Sequence, residues 1–164
     1  MSVKETLTFD GREVYLEWFE LADYPKDISI SQVVGFCVNK DGEVLIIKNQ
    51  RGWGFPGGHP ESGETPEETL RREVAEEAYV TIKNQRLLGY IEVSDPDNQS
   101  VEGKHYIQLR YFAELDEVLD FNKEFETSER AFVVAEQLPQ YIKWLSSPTG
   151  SAQYKTFSDS LKNK

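Results

Sequence analysis

A chain of 164 residues with 38% apolar and 29% charged side chains can bury one substantial core and is short for two, so a single globular domain over residues 1–164 is expected. The formal net charge of −11 argues against unaided binding to a polyanion, so nucleic acid is not an expected partner. No apolar stretch is long enough to span a membrane and the N-terminus has no apolar secretory core; the single cysteine, Cys37, allows neither a disulfide framework nor a cysteine metal site. A cytoplasmic protein with no membrane partner is the default, with Cys37 in the core.

In chain order, residues 7–9 and 14–19 flank Asp10-Gly11, a turn dipeptide that predicts a β-hairpin over roughly residues 1–24. Residues 24–27, Tyr-Pro-Lys-Asp, read as a connection. Residues 32–39 are almost continuously apolar, as in a strand covered on both faces. Lys40-Asp41-Gly42 then turns the chain into a strand over 43–48, and Trp53, Gly54 and Phe55 predict a short strand before Gly57-Gly58.

Thr65, Pro66 and Glu68 form a helix start: an N-cap, a proline at the first helical position and the partner of a capping box. The helix that follows carries Glu73, Glu76 and Glu77. At spacings of three and four residues these carboxylates share a face and converge, which requires a compensating cation. Hard oxygen donors suit Mg²⁺, Mn²⁺ or Ca²⁺. The acidity of the whole chain points the same way, because any anionic ligand would be repelled unless cations lay between it and the carboxylates.

From Gly58 the chain reads Gly, five residues, Glu64, seven residues, then Arg72-Glu73-Val74-Ala75-Glu76-Glu77, with Val80 closing. This resembles the Nudix box, G-x5-E-x7-R-E-U-x-E-E-x-G-U, with Tyr79 where the family has glycine. A solvated amphipathic helix would account for the carboxylates, but not for the Phe-Pro-Gly-Gly turn and Glu64 upstream.

The resemblance implies an α/β/α sandwich with a mixed curved sheet, its core over about residues 30–140, with the hairpin as an N-terminal extension and a helical tail. It also implies a hydrolase that cleaves a diphosphate linkage in a nucleoside diphosphate derivative. Glu73, Glu76 and Glu77 would hold Mg²⁺ or Mn²⁺, more than one ion with substrate bound. Arg72 would orient the carboxylates, Gly57 and Gly58 would permit the tight turn, and Glu64 would support the loop. Glu73 or an acid in a later loop would take the proton. A Nudix-fold nucleotide sensor without hydrolysis and a diphosphate isomerase are the alternatives. The partner implied is a small nucleotide-type molecule; the hairpin is expected at a sheet edge, although the resemblance implies that such an extension can instead pair with another subunit, as in a homodimer, or cover the substrate.

Past the helix, residues 84–94 predict a strand, 95–104 a mobile polar loop, and 106–115 a strand with Gln108 and Arg110 on one face and Ile107 and Leu109 on the other. Arg110 is a candidate for a phosphate or base, against the commoner pairing with an acid. Residues 116–130 read as an acidic loop with Asp116, Glu117, Asp120, Glu124, Glu126 and Glu129, from which Glu126 or Glu129 could close over the metals. A last strand over 130–134 and a short helix from Ala135 follow. The tail is expected to pack aromatics on the core in two pieces separated by Pro148 and Gly150. Trp53, Tyr90, Tyr106, Tyr111 and Phe112 are candidate base-stacking rings, although strand aromatics are more often core.

Overall fold

The structure is a computed structural model that describes residues 2–122 and 126–163. Nine strands form one mixed sheet: β1 (Ser2–Phe9), β2 (Arg12–Phe19), β3 (Ile30–Val38), β4 (Val44–Asn49), β5 (Gly52–Gly54), β6 (Gly57–Gly58), β7 (Val80–Ser94), β8 (His105–Val118) and β9 (Glu129–Val133). Their order is β1-β2-β7-β8-β3-β4-β5, with β6 against β3 and β9 against β4. Only β3 and β8 run parallel. Helix α1 (Pro66–Ala78) lies between β6 and β7 in sequence; the short α2 (Leu138–Tyr141) and the longer α3 (Pro148–Lys162) close the chain.

The hairpin forms as its turn dipeptide requires, with Asp10 and Gly11 both in the left-handed region. It is more than a free edge. Residues 15–19 of β2 pair antiparallel with 90–94 of β7, so the extension continues the main sheet, and Trp18 is 2% exposed. Strand β3 is buried from Val33 to Val38, in agreement with its unbroken apolar run.

Side-chain alternation divides the core into two layers. Ile107, Leu109, Tyr111, Ala113 and Leu115 face Leu70, Val74 and Ala78 of α1. On the other face Phe36, Phe112 and Trp18 meet Leu138, Leu145 and Phe157 of the C-terminal segment, and Phe157 stacks on Phe36 with ring centres 5.0 Å apart. Cys37 is fully buried, which pushes its thiol up to about 12.

Several boundaries differ from the expectations. Strand β7 begins at Val80, directly after the helix cap, because its first residues pair with the end of β8 (Val80 with Val118). The same pairing extends β8, so Asp116 and Glu117 belong to a strand rather than a loop. Glu124 lies outside the described residues. The 95–104 segment is tied down: Asp95 is 2% exposed, its N–H donates to Lys104 O, and the Asn98 amide donates to Gly103 O. Gly150 sits inside α3, whose N-cap is Ser147, rather than dividing the tail. A Cβ there would lie 1.8 Å from Trp144 O, so the glycine permits the helix to start against the preceding turn. Among the described residues no helix is long and apolar enough to cross a membrane.

Candidate active site

Helix α1 starts as its local chemistry dictates. The Thr65 hydroxyl accepts from Glu68 N, the Glu68 carboxylate accepts from Thr65 N, and Pro66 takes the first turn. The helix ends at Tyr79 in the left-handed conformation (φ 57°, ψ 46°), with Arg130 donating to Ala78 O at 2.7 Å and so satisfying a terminal carbonyl. The Tyr79 ring meets Phe121 edge to face at 5.5 Å.

The turn before the helix is wedged between β3 and the carboxylates. Gly57 and Gly58 pair with Val34 and Val33. A Cβ on Gly57 would lie 2.2 Å from Val33 O, and one on Gly58 would lie 2.4 Å from a Glu73 carboxylate oxygen. Gly57 therefore requires glycine for close approach to the strand backbone, whereas a side chain at Gly58 would displace the Glu73 carboxylate. The Gly57 N–H donates to Glu77 Oε1 at 2.9 Å.

Arg72 organises the rest. Its guanidinium donates twice to Glu64, at 2.7 and 3.0 Å, and once each to Glu73 (2.8 Å) and His59 O (3.2 Å), with Glu76 at 3.5 Å. Glu64 also accepts from Glu61 N and the Thr69 hydroxyl. The Arg72 pair, more than these other donors, lowers the Glu64 carboxyl to about 2. Glu64 thus fixes the loop and the arginine together.

Glu77 has a different environment. Burial pushes it up to about 8; the Gly57 N–H opposes this, and the charges of Glu73, Glu126 and Glu76 add to it. Burial also raises Glu73, against the pull of Arg72. The three carboxylates do not close on one point as helical spacing alone suggests. Glu73 lies between Arg72 and Gly58, Glu76 turns toward Arg72 and Glu77 toward the Gly57 N–H, and among the described residues no three acidic, histidine or cysteine side chains are gathered tightly enough to hold an ion. The donor set nevertheless fits a hard divalent cation: a half-buried carboxylate raised by desolvation and further by three acidic neighbours is the kind of group such an ion would return to its charged form.

Two clefts flank this turn. One, of about 400 Å³, is lined by Glu77, Gly57, Gln32, Trp53, Phe55, Arg110 and Trp144, among others. Arg110 is 5% exposed and, among the described residues, pairs with no acid. It donates to the side-chain oxygens of Gln153 (2.8 Å), Gln108 (3.2 Å) and Gln32 (3.3 Å), and burial lowers it to about 10. The other, about 630 Å³, adjoins Gly58 and His59 and shares Gln32 and Arg51 with the first.

The acidic-loop candidates separate. Glu126 acts on Glu77 and borders a recess with Asn49, Gln50 and Arg51. Glu129 lies in β9 and pairs with Lys48 at 3.5 Å. Among the rings, Trp53 and Tyr106 line the clefts, whereas Tyr90 stacks on Phe19, Phe112 packs on Phe157, and the Tyr111 hydroxyl donates to Glu67. Sequence reasoning missed Gln32, Phe55, Trp144, Arg51, His59 and the helix-capping role of Arg130. Trp144 and Phe55 carried a signal as aromatics outside the regular alternation; the others did not.

The geometry has counterparts in known proteins. The MutT4 protein of Mycobacterium tuberculosis is 30% identical over 125 residues, 74% of this chain, and the chain spans 45% of that relative's length. The fold resembles the Bacillus subtilis pyrophosphohydrolase BsRppH (TM-score 0.72, 24% identity, 90% of this chain and 92% of that one). It also resembles the NUDIX domain of Shewanella oneidensis NrtR, solved with ADP ribose (TM-score 0.61, 16% identity, 85% and 95%). A family model for the NUDIX domain matches residues 28–153, which takes in the glycine turn, the glutamate helix and both clefts' central walls: the chain belongs to the NUDIX domain family.

Proposed function

We propose that the protein is a divalent-metal-dependent hydrolase of a diphosphate linkage in a nucleoside diphosphate derivative. The observation that carries this reading is Glu77, a half-buried carboxylate that accepts from the Gly57 N–H at the mouth of an aromatic-walled cleft and is raised by desolvation first and by three acidic neighbours after it. Strongly shifted groups in clefts mark sites of chemistry. Glu73, Glu76 and Glu77 would hold Mg²⁺ or Mn²⁺, which when bound would polarise the phosphoryl oxygens and acidify a water.

The chain's own residues supply the rest. Arg72, anchored by Glu64, sets the directions of Glu73 and Glu76. The glycine pair brings the backbone close enough for substrate oxygens to approach the carboxylates. Glu126, on the loop beside Glu77, is the proton acceptor favoured over Glu129, which is engaged by Lys48. Arg110, with its charge balanced only by amide oxygens, gives the 400 Å³ cleft a preference for an anionic or acceptor-rich group, and Trp53, Phe55 and Trp144 give it ring faces for a base. A nucleotide sensor that does not hydrolyse its ligand is disfavoured by the full set of three box carboxylates.

The test is a panel of nucleoside triphosphates, nucleotide sugars, ADP-ribose, NADH and dinucleoside polyphosphates, assayed for phosphate-bearing products with Mg²⁺ and with EDTA. Turnover of at least one compound with Mg²⁺, abolished by EDTA and reduced at least a hundredfold in Glu76→Gln or Glu77→Gln, is expected. Turnover that persists in EDTA, or no turnover of any compound, contradicts the proposal.

A further inference from the structure

The second cleft has a wall that the family model does not cover. Its lining includes Gly58 and His59 at the catalytic turn, Gln32, Gln108 and Tyr106 on the sheet, and Phe9 at the tip of the N-terminal hairpin. The matched family region begins at residue 28, so Phe9 belongs to the extension.

The tip is held in place. Arg12 donates to both carboxylate oxygens of Asp95, at 2.8 and 3.1 Å, and Asp95 is almost fully buried at the root of the 95–104 loop. A two-pronged pair with a buried acid fixes orientation as well as distance. The Arg12 guanidinium also lies 5.3 Å from the centre of the Phe9 ring. Hairpin and loop are therefore one unit, and that unit presents two apolar side chains to water: Phe9 is 58% exposed and Val101 97%. Both border the same 630 Å³ cleft. A fixed, solvent-facing ring beside a catalytic turn is apolar surface awaiting an occupant.

The chemistry of the lining selects that occupant. The cleft carries Arg51 and His59, suited to a phosphate leaving the metal centre, with the acid Glu102 acting on His59. The same lining offers the rings of Phe9 and Tyr106 with the amides of Gln32 and Gln108, suited to a flat heterocycle with polar edges. Because this cleft meets the Trp53–Arg110 cleft at Gln32 and Arg51, a molecule bearing a base at each end of a phosphate chain could occupy both.

We propose that the N-terminal hairpin, through Phe9, builds a second nucleoside subsite across the glycine turn from the first. The inference rests on the proposed function for the position of the phosphate chain. Phe9 acts only on binding of the distal base.

The test measures equilibrium binding by calorimetry in Mg²⁺, with methylene-bridged analogues that resist cleavage: a diadenosine tetraphosphate and an ATP, each compared on the wild type, Phe9→Ser and Phe9→Trp. The wild type is expected to bind the dinucleotide about tenfold more tightly than the mononucleotide, the scale of one added base stack. Phe9→Ser should bring the two within twofold by weakening only the dinucleotide, and Phe9→Trp should preserve the gap. A wild type without the gap, or a gap that survives in Phe9→Ser, overturns the proposal. Failure of the hydrolysis panel with the binding gap intact would instead remove the catalytic reading and leave the subsite standing.

Discussion

Replacing Tyr79 by glycine, the residue the Nudix box has at that position, sets two effects against each other. The left-handed backbone at Tyr79 costs a residue with a Cβ about 1–2 kcal/mol, which glycine relieves. Glycine's freedom in the unfolded chain returns about 0.5–1 kcal/mol of that. The ring is half-buried, so losing it forfeits about 1–1.5 kcal/mol, half the value of a fully buried large side chain. Its edge-to-face contact with Phe121 adds about 0.5–1.5 kcal/mol. Packing outweighs strain, and Tyr79→Gly is expected to be less stable than the parent by about 1–2 kcal/mol. Tyr79→Ala keeps the strain while losing the ring, so it should fall about 1 kcal/mol below Tyr79→Gly. In Phe121→Ala the cost of Tyr79→Gly should shrink by the ring-pair contribution. Urea melts of the parent, the three single variants and the double variant give these differences, and initial rates under saturating Mg²⁺ should change less than threefold, since the ring packs edge to face on Phe121. A Tyr79→Gly variant more stable than the parent would refute the packing argument, and a folded one slowed a hundredfold would place the tyrosine in the chemistry.

Three further outcomes follow from the site. Gly58→Ala drives a Cβ into the Glu73 carboxylate, so it should cut turnover at least a hundredfold while the protein still melts cooperatively; unchanged turnover would show that Glu73 moves aside freely. Glu64 is held at about 2, below its ordinary carboxyl range, so its contribution is full above that range and is lost as pH falls through about 2. Thermal melts of wild type and Glu64→Gln should therefore differ most near neutrality and converge toward pH 2, and a difference that grows on acidification would contradict the pairing with Arg72. Cys37, raised to about 12 and fully buried, should resist thiol reagents in the native protein and react on denaturation; rapid native labelling would show that this strand opens.

What the sequence made legible was local chemistry. The Asp10-Gly11 turn and the Thr65–Glu68 capping box each depend on residues a few positions apart, and each formed as expected. Long-range placement was not legible in the same way. Arg110 was weighed as the partner of an acid, yet it is surrounded by amides 43 and 78 residues away, and no spacing rule marks Gln153 or Gln32. The hairpin could be drawn from its own residues, but its seat beside the catalytic turn depends on an Arg12–Asp95 pair spanning 83 positions. Helical spacing placed Glu73, Glu76 and Glu77 on one face; it did not reveal that Arg72 would engage Glu73 and Glu76 while Glu77 takes the Gly57 N–H.

The central claim, that the glutamate face of α1 is a divalent-cation site, is most directly tested by titrating the purified protein with Mn²⁺ and counting free ions by their electron paramagnetic resonance signal. The account predicts saturable binding that Mg²⁺ competes away and that weakens at least tenfold in Glu77→Gln, a nearly isosteric change that leaves the fold intact. Equal Mn²⁺ binding by the wild type and Glu77→Gln would contradict it.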